Sequence, residues 1–393
     1  MNRRWFVALL LCWSDLCVGQ LTGHFYLQKE AYAPGEPVVL LFEVTNGGPV
    51  GQNIVQADPY SFCSGYQVHV SSDYDAKSTC EIAGWGGSCL SSYALLPPGK
   101  TRTERILLNY EHRVDEPGEY DVEAIRHLEY ADANAEPFTA PKNDLEVRTQ
   151  LHFRVDETAA PNLKTLHRFV TELQSPDMPV RLEAARTLAS VGPRSLETTL
   201  LQFAENDEFR RFAPLAFRKL NTTRSMAALA ELLVKSKAGS YEHLESAKYL
   251  GESGDPRWFP LLAEVARHNA RVSNYVAAAA QSGGSQAIPL LTELLRSPDK
   301  EFTVLNAASG LGYTGAREAI PILLGLLGSS DTGVAERALG SLQQLTHVSL
   351  GGDRFSSESP QSQSFRWIRW WAQAQTTARI YKVSECGQFS ALP

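Results

Sequence analysis

A small residue followed four positions later by leucine recurs along the C-terminal half of the chain. The copies are Ala184/Leu188, Ala216/Leu220, Ser246/Leu250, Ala307/Leu311 and Ala338/Leu342, with a degenerate copy at Ala277/Gln281. Their second positions lie 30 to 32 residues apart. An i, i+4 pair occupies one face of a helix. A fixed period of this length indicates helical units that bury their apolar faces against one another. We therefore predict an α-solenoid of about six repeats over residues 162–347.

The segments between the predicted helices support two helices per repeat. Gly192, Gly254 and Gly315 each follow the repeat leucine by four residues, and Gly284 follows Gln281 by three. Glycine at this distance is the expected helix stop. Ser-Pro-Asp at 175–177 and 297–299, and Ser-Ser-Asp at 329–331, precede the second helix of three repeats. Each repeat is thus predicted to be a first helix, a turn, a second helix and another turn.

With these residues in view, the array resembles the short HEAT-like repeats first recognised in phycobilisome lyases. Residues 287–295 and 319–327 match the first-helix pattern of that family, and 179–188 and 307–315 match the second. The resemblance implies the fold. It implies little about function, because such repeats serve lyases, scaffolds and binding modules alike.

Residues 20–157 have a different pattern, in which apolar and polar positions alternate. Val147, Thr149, Leu151, Phe153 and Val155 face one way, with polar residues between them. Alternation of this kind predicts half-buried strands, and we place others at 25–29, 38–44, 66–71, 105–110 and 120–127. The whole predicts a β-sandwich of the immunoglobulin type. Residues 32–38 and 117–122 resemble bacterial extracellular immunoglobulin-like modules, and Tyr120 is a candidate tyrosine corner.

The N-terminus has the pattern of a secretory signal peptide. Arg3 and Arg4 precede an apolar run of nine residues, and small residues allow cleavage before Gln20. The run is too short to span a bilayer. We therefore predict that residues 1–19 are removed and that the protein is exported, to the periplasm or the extracellular space. The general secretory route is favoured over twin-arginine export, and no transmembrane segment is predicted in the mature chain.

The cysteines and the net charge indicate whether disulfides or metals are bound and which class of partner is excluded. Cleavage would leave Cys63, Cys80, Cys89 and Cys386. The first three lie in an irregular Gly- and Ser-rich segment, where a disulfide is favoured over a metal site because no Cys-x-x-Cys or paired histidine is present. The sequence does not determine which of these cysteines pair with one another. The formal net charge of −7, with no basic stretch, argues against a nucleic-acid partner.

The C-terminal segment, 348–393, departs from the repeat. Phe365, Trp367, Ile368, Trp370 and Trp371 form an aromatic and apolar cluster. A helix carrying them would cover the open end of a solenoid; the alternative is a platform on which sugars stack. The capping role is preferred, and the tail is similar to the endings of other exported bacterial HEAT-repeat proteins.

No catalytic motif or cofactor fingerprint is found, and no cofactor is predicted. Residues flanking the small repeat position point away from the core of each second helix, and we propose them as binding residues: Glu183, Arg186, Arg218, Glu245, Lys248, Asn306 and Arg337. The resulting hypothesis is an exported, non-catalytic protein that holds a protein or peptide partner. The alternative is an enzyme with an unrecognised site in the 57–92 loop, which carries Asp58, His69, Asp73, Asp75 and Trp85. The oligomeric state is left open.

Overall fold

A computed structural model describes residues 21–56, 65–72, 92–112, 114, 116–133, 143–159, 163–350, 359–383 and 389–391. The predicted signal peptide, Cys63, Cys80, Cys89 and Cys386, and most of the 57–92 loop lie outside these residues. No helix in the described ranges is long and apolar enough to cross a membrane.

The chain combines β-sheets with many helices, as the sequence predicts. The strands of the N-terminal part are β1 (Leu21–Leu27), β2 (Ala31–Tyr32), β3 (Val39–Asn46), β4 (Gln52–Gln56), β5 (Tyr66–Ser72), β6 (Ser92–Leu96), β7 (Thr101–Leu107), β8 (Gly118–Asp132) and β9 (Asn143–Val155). One sheet has the order β1-β3-β7 and the other β2-β9-β8-β4-β6, with β5 also pairing with β8. The two sheets share one apolar core.

The alternation predicted for β9 is confirmed. Phe153 and Val155 are buried, while Arg148, His152 and Arg154 are exposed. The Tyr120 hydroxyl donates a 2.7 Å hydrogen bond to the carbonyl of Glu116, and its ring stacks on Phe153 at 5.0 Å. This is the contact expected of a tyrosine corner.

The predicted strand 105–110 is wrong at its C-terminal end. β7 stops at Leu107, and the chain continues as a short helix, α1 (Leu108–Glu111). Asn109 on α1 is completely buried, and its side chain accepts from the Val38 amide at 2.7 Å and donates to the Glu36 carbonyl at 3.2 Å. These bonds satisfy backbone groups beside β3, so α1 can leave the sheet and project toward the helices that follow.

The C-terminal part is built of paired helices. The first helices are α2 (Leu163–Glu172), α4 (Glu197–Leu201), α6 (Thr223–Lys235), α8 (Phe259–His268), α10 (Ile288–Leu294) and α12 (Ala319–Leu326). The second helices are α3 (Met178–Val191), α5 (Ala213–Leu220), α7 (Tyr241–Glu252), α9 (Ser273–Gly283), α11 (Leu305–Tyr313) and α13 (Thr332–Thr346). Each second helix contacts the next one along the chain. Their outward surface, away from the first helices, is called the second-helix face below.

The repeat positions lie between neighbouring helices. Leu188, Leu250, Leu311 and Leu342 are completely buried, and Leu220 is 1% exposed. Small residues allow the second helices to approach closely: a Cβ added to Gly251 on α7 would lie 2.5 Å from the Cα of Ala278 on α9. The stack therefore depends both on buried leucines and on the absence of side chains at the contact points.

The helix stops also follow the sequence. Gly192, Gly254 and Gly315 have φ angles of 58°, 63° and 61°, in the left-handed region that glycine adopts without strain. Asn221 and His347 take the same role after α5 and α13, with φ angles of 45° and 52°. Each of these residues ends the second helix of its repeat.

The predicted register of the fourth repeat is wrong by one residue. Gly284, the positive-φ residue that ends α9 (φ 54°, ψ −128°), follows Ala280 rather than Gln281 by four residues. Val276 and Ala280 are completely buried, whereas Ala277 is only partly buried. The α9 sequence is a run of small residues followed by two glycines, so neither side-chain size nor the stop signal identifies the register from sequence alone.

The turn before three second helices uses the predicted Ser-x-Asp motif. The hydroxyls of Ser175, Ser297 and Ser329 accept the amide of the aspartate two residues later, at 3.2, 3.2 and 3.1 Å. Asp299 and Asp331 then accept amides of the following helical turn. The motif satisfies donors at the start of these helices.

A final helix, α14 (Pro360–Ala374), packs on α12 and α13. Trp367 is completely buried, and Trp370 and Trp371 are partly buried against the helical core. Phe365 and Ile368 are 68% and 49% exposed. Beyond α14, β10 (Tyr381–Val383) pairs with β11 (Phe389–Ala391).

Candidate functional site

The proposed binding residues lie on second helices. Glu183 and Arg186 belong to α3, Arg218 to α5, Glu245 and Lys248 to α7, Asn306 to α11 and Arg337 to α13. The structure brings three of them together, Arg218, Glu245 and Lys248, around the ring of Tyr249 on α7. The Arg218 guanidinium lies 4.8 Å from the ring centroid and the Lys248 ammonium 5.2 Å.

Charges in this group are paired. Lys248 Nζ lies 3.6 Å from Glu245 Oε2, and Arg218 Nη2 lies 3.4 Å from Glu252 Oε2. Glu245 is 3% exposed, so the expectation that this residue forms part of an open charged surface is wrong. The Tyr249 hydroxyl forms a hydrogen bond with the Glu245 carboxylate. Burial of the hydroxyl is the larger cause that raises the pKa of Tyr249, and the negative charge of Glu245 adds to it. The Tyr249 hydroxyl is therefore protonated near neutral pH, and the charged side chains around it are paired with one another.

Two further tyrosines connect this group to the N-terminal domain. Tyr110 on α1 packs against the helical core and shares a hydrogen bond with the hydroxyl of Tyr241, at the start of α7. Tyr241 also lies within the electrostatic reach of Glu245. We call Tyr110, Arg218, Tyr241, Glu245, Lys248, Tyr249 and Glu252 the tyrosine cluster. The N-terminal domain thus docks on the second-helix face, where α1 also contacts α3.

His112, directly after α1, belongs to the same domain contact. It is 7% exposed, and its Nε2 makes no hydrogen bond with any described residue. Burial, followed by the positive charges of His69 on β5 and Lys219 on α5, lowers the pKa of His112 to about 4. The imidazole is therefore neutral at pH 7.

We expect the domain contact to weaken in acid because of His112. In the unfolded chain histidine has a pKa of about 6.5, so between pH 6.5 and 4 the unfolded state binds the proton and the folded state does not. Stability is fully present above pH 6.5 and falls by about 3 kcal/mol as the pH drops to 4. Urea unfolding at a series of pH values measures this slope. The His112→Phe variant should show a shallower slope, and equal slopes for the two proteins would contradict the assignment.

The remaining proposed residues have local partners or none. Arg186 Nη1 pairs with Glu183 Oε2 at 3.6 Å within α3. Asn306 donates to the Ala270 carbonyl at 2.9 Å, which ties α11 to the turn between α8 and α9. Arg337 is exposed on α13, with no ion-pair partner in the described part of the chain.

The second-helix face is open at its C-terminal end. A Cβ added to Gly340 on α13 would meet no atom within 4 Å. Ala277 on α9 and Ser309 on α11 are partly exposed in the same layer of helices. These three positions carry small side chains or none, and the charged residues Glu336 and Arg337 are exposed beside Gly340 on α13.

The described residues contain no group of three or more histidine, cysteine, aspartate or glutamate side chains placed to hold a metal ion. Of the residues named for the alternative enzyme site, Asp58, Asp73, Asp75 and Trp85 lie outside the described ranges. His69 is exposed on β5 and within electrostatic reach of His112.

Sequence reasoning missed Tyr110, Tyr241, Tyr249 and Glu252. A signal for the last two was present, because Glu245, Tyr249 and Glu252 are spaced to share one face of α7. No local pattern could have found Tyr110, since it approaches α7 only through the docking of a separate domain.

Comparison with known proteins gives distant structural likenesses. No protein-family model and no curated protein matches the chain. The complex of CpcE and CpcF of phycocyanin lyase from Nostoc sp. is 22% identical over 47% of this chain and 78% of that one, with a TM-score of 0.34. Native Escherichia coli α-2-macroglobulin is 13% identical with a TM-score of 0.20, and Salmonella α-2-macroglobulin reacted with methylamine is 12% identical with a TM-score of 0.19. Both cover 92% of this chain, which spans 27% and 28% of theirs. At these TM-scores the likenesses carry no functional conclusion.

Proposed function

We propose that this chain is an exported, non-catalytic binding protein, in which a HEAT-like α-solenoid and an immunoglobulin-like β-sandwich hold a protein or peptide partner. The observation that carries the proposal is the docking of the N-terminal domain on α3 and α7, where His112 also lies within electrostatic reach of Lys219 on α5. The second-helix face already binds a folded protein surface within the chain, and the same layer of helices continues, open, through α9, α11 and α13.

The immunoglobulin-like assignment is supported by the pairing of the first strands. β1 pairs with β3 in one sheet, while β2 pairs in parallel with β9 in the other. A first strand divided between two sheets, together with the Tyr120 contact, is typical of immunoglobulin-like sandwiches. The HEAT-like assignment is supported by second helices that contact one another in chain order, which is the arrangement of a solenoid.

Partner binding is tested by affinity capture from the envelope fraction of the native host, followed by mass spectrometry. A partner that recurs across replicates and is lost when the second-helix face is blocked supports the proposal. Hydrolysis or group transfer in an unbiased substrate screen would instead support an enzyme with a site in the 57–92 loop.

If the protein is exported, its mature form should differ from the full chain in its N-terminus and in the state of its cysteines. We expect residues 1–19 to be removed and at least one disulfide to join two of Cys63, Cys80 and Cys89, because an exported chain meets an oxidising compartment. Intact-mass measurement and disulfide mapping of the secreted protein check both points. A retained N-terminus, or free thiols at all three cysteines, would contradict the proposed location.

A further inference from the structure

The helical repeats have an edge where second helices end and first helices begin. The chain's own segment 375–383, after α14, crosses this edge. It passes the stops that follow α13, α11 and α7, which are His347, Gly315 and Gly254. We call the surface formed by Gly254, Gly284, Gly315, Arg317 and His347 the edge groove.

Arg317 binds the backbone of the segment rather than its side chains. Its Nη1 donates to the Gln375 carbonyl and its Nη2 to the Ala378 carbonyl, both at 2.6 Å. The guanidinium also lies 5.8 Å from the ring centroid of Trp371. Both carbonyls lie in the turn that ends α14, where the Ala378 amide donates to the Ala374 carbonyl at 2.7 Å. The planar guanidinium therefore holds the chain where it leaves the helix, without selecting its sequence.

Selectivity comes from three consecutive side chains. Ile380 is 5% exposed and enters the helical core. Tyr381 stacks on His347, with ring centroids 4.0 Å apart and an interplanar angle of 17°. Lys382 lies against glycine backbone: a Cβ on Gly315 would come within 2.8 Å of the Lys382 Cβ, and one on Gly254 within 2.9 Å of its Nζ. The glycines that end two helices thus also provide the room for this lysine.

The segment is lightly held. Of residues 375–382 only Ile380 is buried, and residues 375–377 and 379 are exposed. A cleft of about 830 Å³ remains beside it, lined by Ser285, Arg317, Thr377 and Lys382 among others. The segment is held by the Ile380 side chain, the Tyr381 ring stack, the Lys382 contacts and two backbone hydrogen bonds, and its largely exposed remainder suits it to exchange with a competitor.

We propose that the edge groove binds a segment of a partner protein that carries an aliphatic, an aromatic and a basic residue in succession, and that residues 375–383 occupy it in its absence. The partner chemistry follows from what the groove contacts in Ile380, Tyr381 and Lys382. The proposal rests on the binding role proposed above, and assigns that role a second surface and a class of ligand.

The test uses the full-length chain and a fluorescein-labelled synthetic peptide with the sequence of residues 375–383, with binding followed by fluorescence anisotropy. In the wild-type chain the groove is occupied and the peptide competes with the chain's own segment. The Ile380→Asp variant releases that segment, so the peptide should bind about tenfold more tightly. Arg317→Ala added to this variant should abolish the gain, and a peptide carrying the Ile380→Asp change should bind neither protein.

Equal affinity of the peptide for the wild-type and the folded Ile380→Asp chains would overturn the proposal. If Ile380→Asp does not fold, Tyr381→Ala leaves the buried anchor in place and should still tighten peptide binding by about threefold; no change would also overturn it. A wild-type dimer that dissociates in the variant would overturn it in favour of exchange of segments between two copies. If the peptide does not bind but the partner is still captured through α13, only the edge-groove proposal fails. The two proposals can therefore be contradicted separately.

Discussion

Replacing Glu104 by alanine is expected to destabilise the N-terminal domain by about 3–5 kcal/mol. Glu104 points inward from β7, at 8% exposure, and its Oε2 lies 3.6 Å from Nη2 of Arg126 on β8, which is 2% exposed. The Tyr66 hydroxyl donates to the same carboxylate, and the Arg126 guanidinium lies 4.4 Å from the Tyr66 ring centroid. Removing the carboxylate takes away the negative charge that lies 3.6 Å from a buried guanidinium, at the contact between the two sheets.

Urea unfolding of the full-length chain measures this loss. Glu43→Ala is the matched control, because Glu43 lies on the adjacent strand β3 of the same sheet and is more accessible. It should cost less than about 1 kcal/mol. A double variant, Glu104→Leu with Arg126→Met, should recover most of the stability, since an apolar pair of similar size needs no charge compensation. Equal effects of Glu104→Ala and Glu43→Ala would show that the buried pair does not hold the sheets together.

Truncating Leu311 or Leu250 to alanine is expected to cost about 2–5 kcal/mol. Both leucines are completely buried, on α11 and α7, where each helix contacts the second helices on either side. In a stacked array the loss acts on nearest-neighbour contacts, so unfolding should become less cooperative as well as easier.

Val234→Ala on α6 provides the control for these truncations. Val234 is 69% exposed, so its replacement removes no buried surface and should change stability by less than about 0.5 kcal/mol. Calorimetry of the three variants compares both midpoint and transition width. A Leu311→Ala chain that unfolds as sharply and at the same temperature as Val234→Ala would contradict the stacked arrangement.

The sequence predicted those helices and strands in which the pattern of apolar and polar residues matches the pattern of buried and exposed positions. Five alternating positions identified β9, and buried leucines with glycine stops identified most of the second helices. β4 and β6 were missed because each is only five residues long and buries little apolar surface: among the described side chains of β4 the fully buried ones are Gln52, which is polar, and Ile54. α9 was found, but its uniform small residues left the register ambiguous.

What could not be predicted depends on contacts between distant parts of the chain. Glu104 and Arg126 occupy inward positions, where polar residues interrupt the apolar alternation, and only their pairing across the two sheets explains them. The tyrosine cluster joins Tyr110 to residues more than a hundred positions later. The charged residues proposed as an open surface include Glu245, which is buried there because those contacts cover it.

The central claim is that the open part of the second-helix face binds the partner, and two glycine variants test it most directly. An added Cβ at Gly340 on α13 or at Gly325 on α12 meets no atom within 4 Å, so a side chain can leave the helix at either position. Arginine is also a better helix former than glycine by roughly 1 kcal/mol. The measurement is the Kd of the captured partner for Gly340→Arg and Gly325→Arg. Gly340→Arg should weaken binding about tenfold or more, roughly 1.4 kcal/mol, and Gly325→Arg should leave it unchanged. Equal affinities for the two variants would contradict the claim.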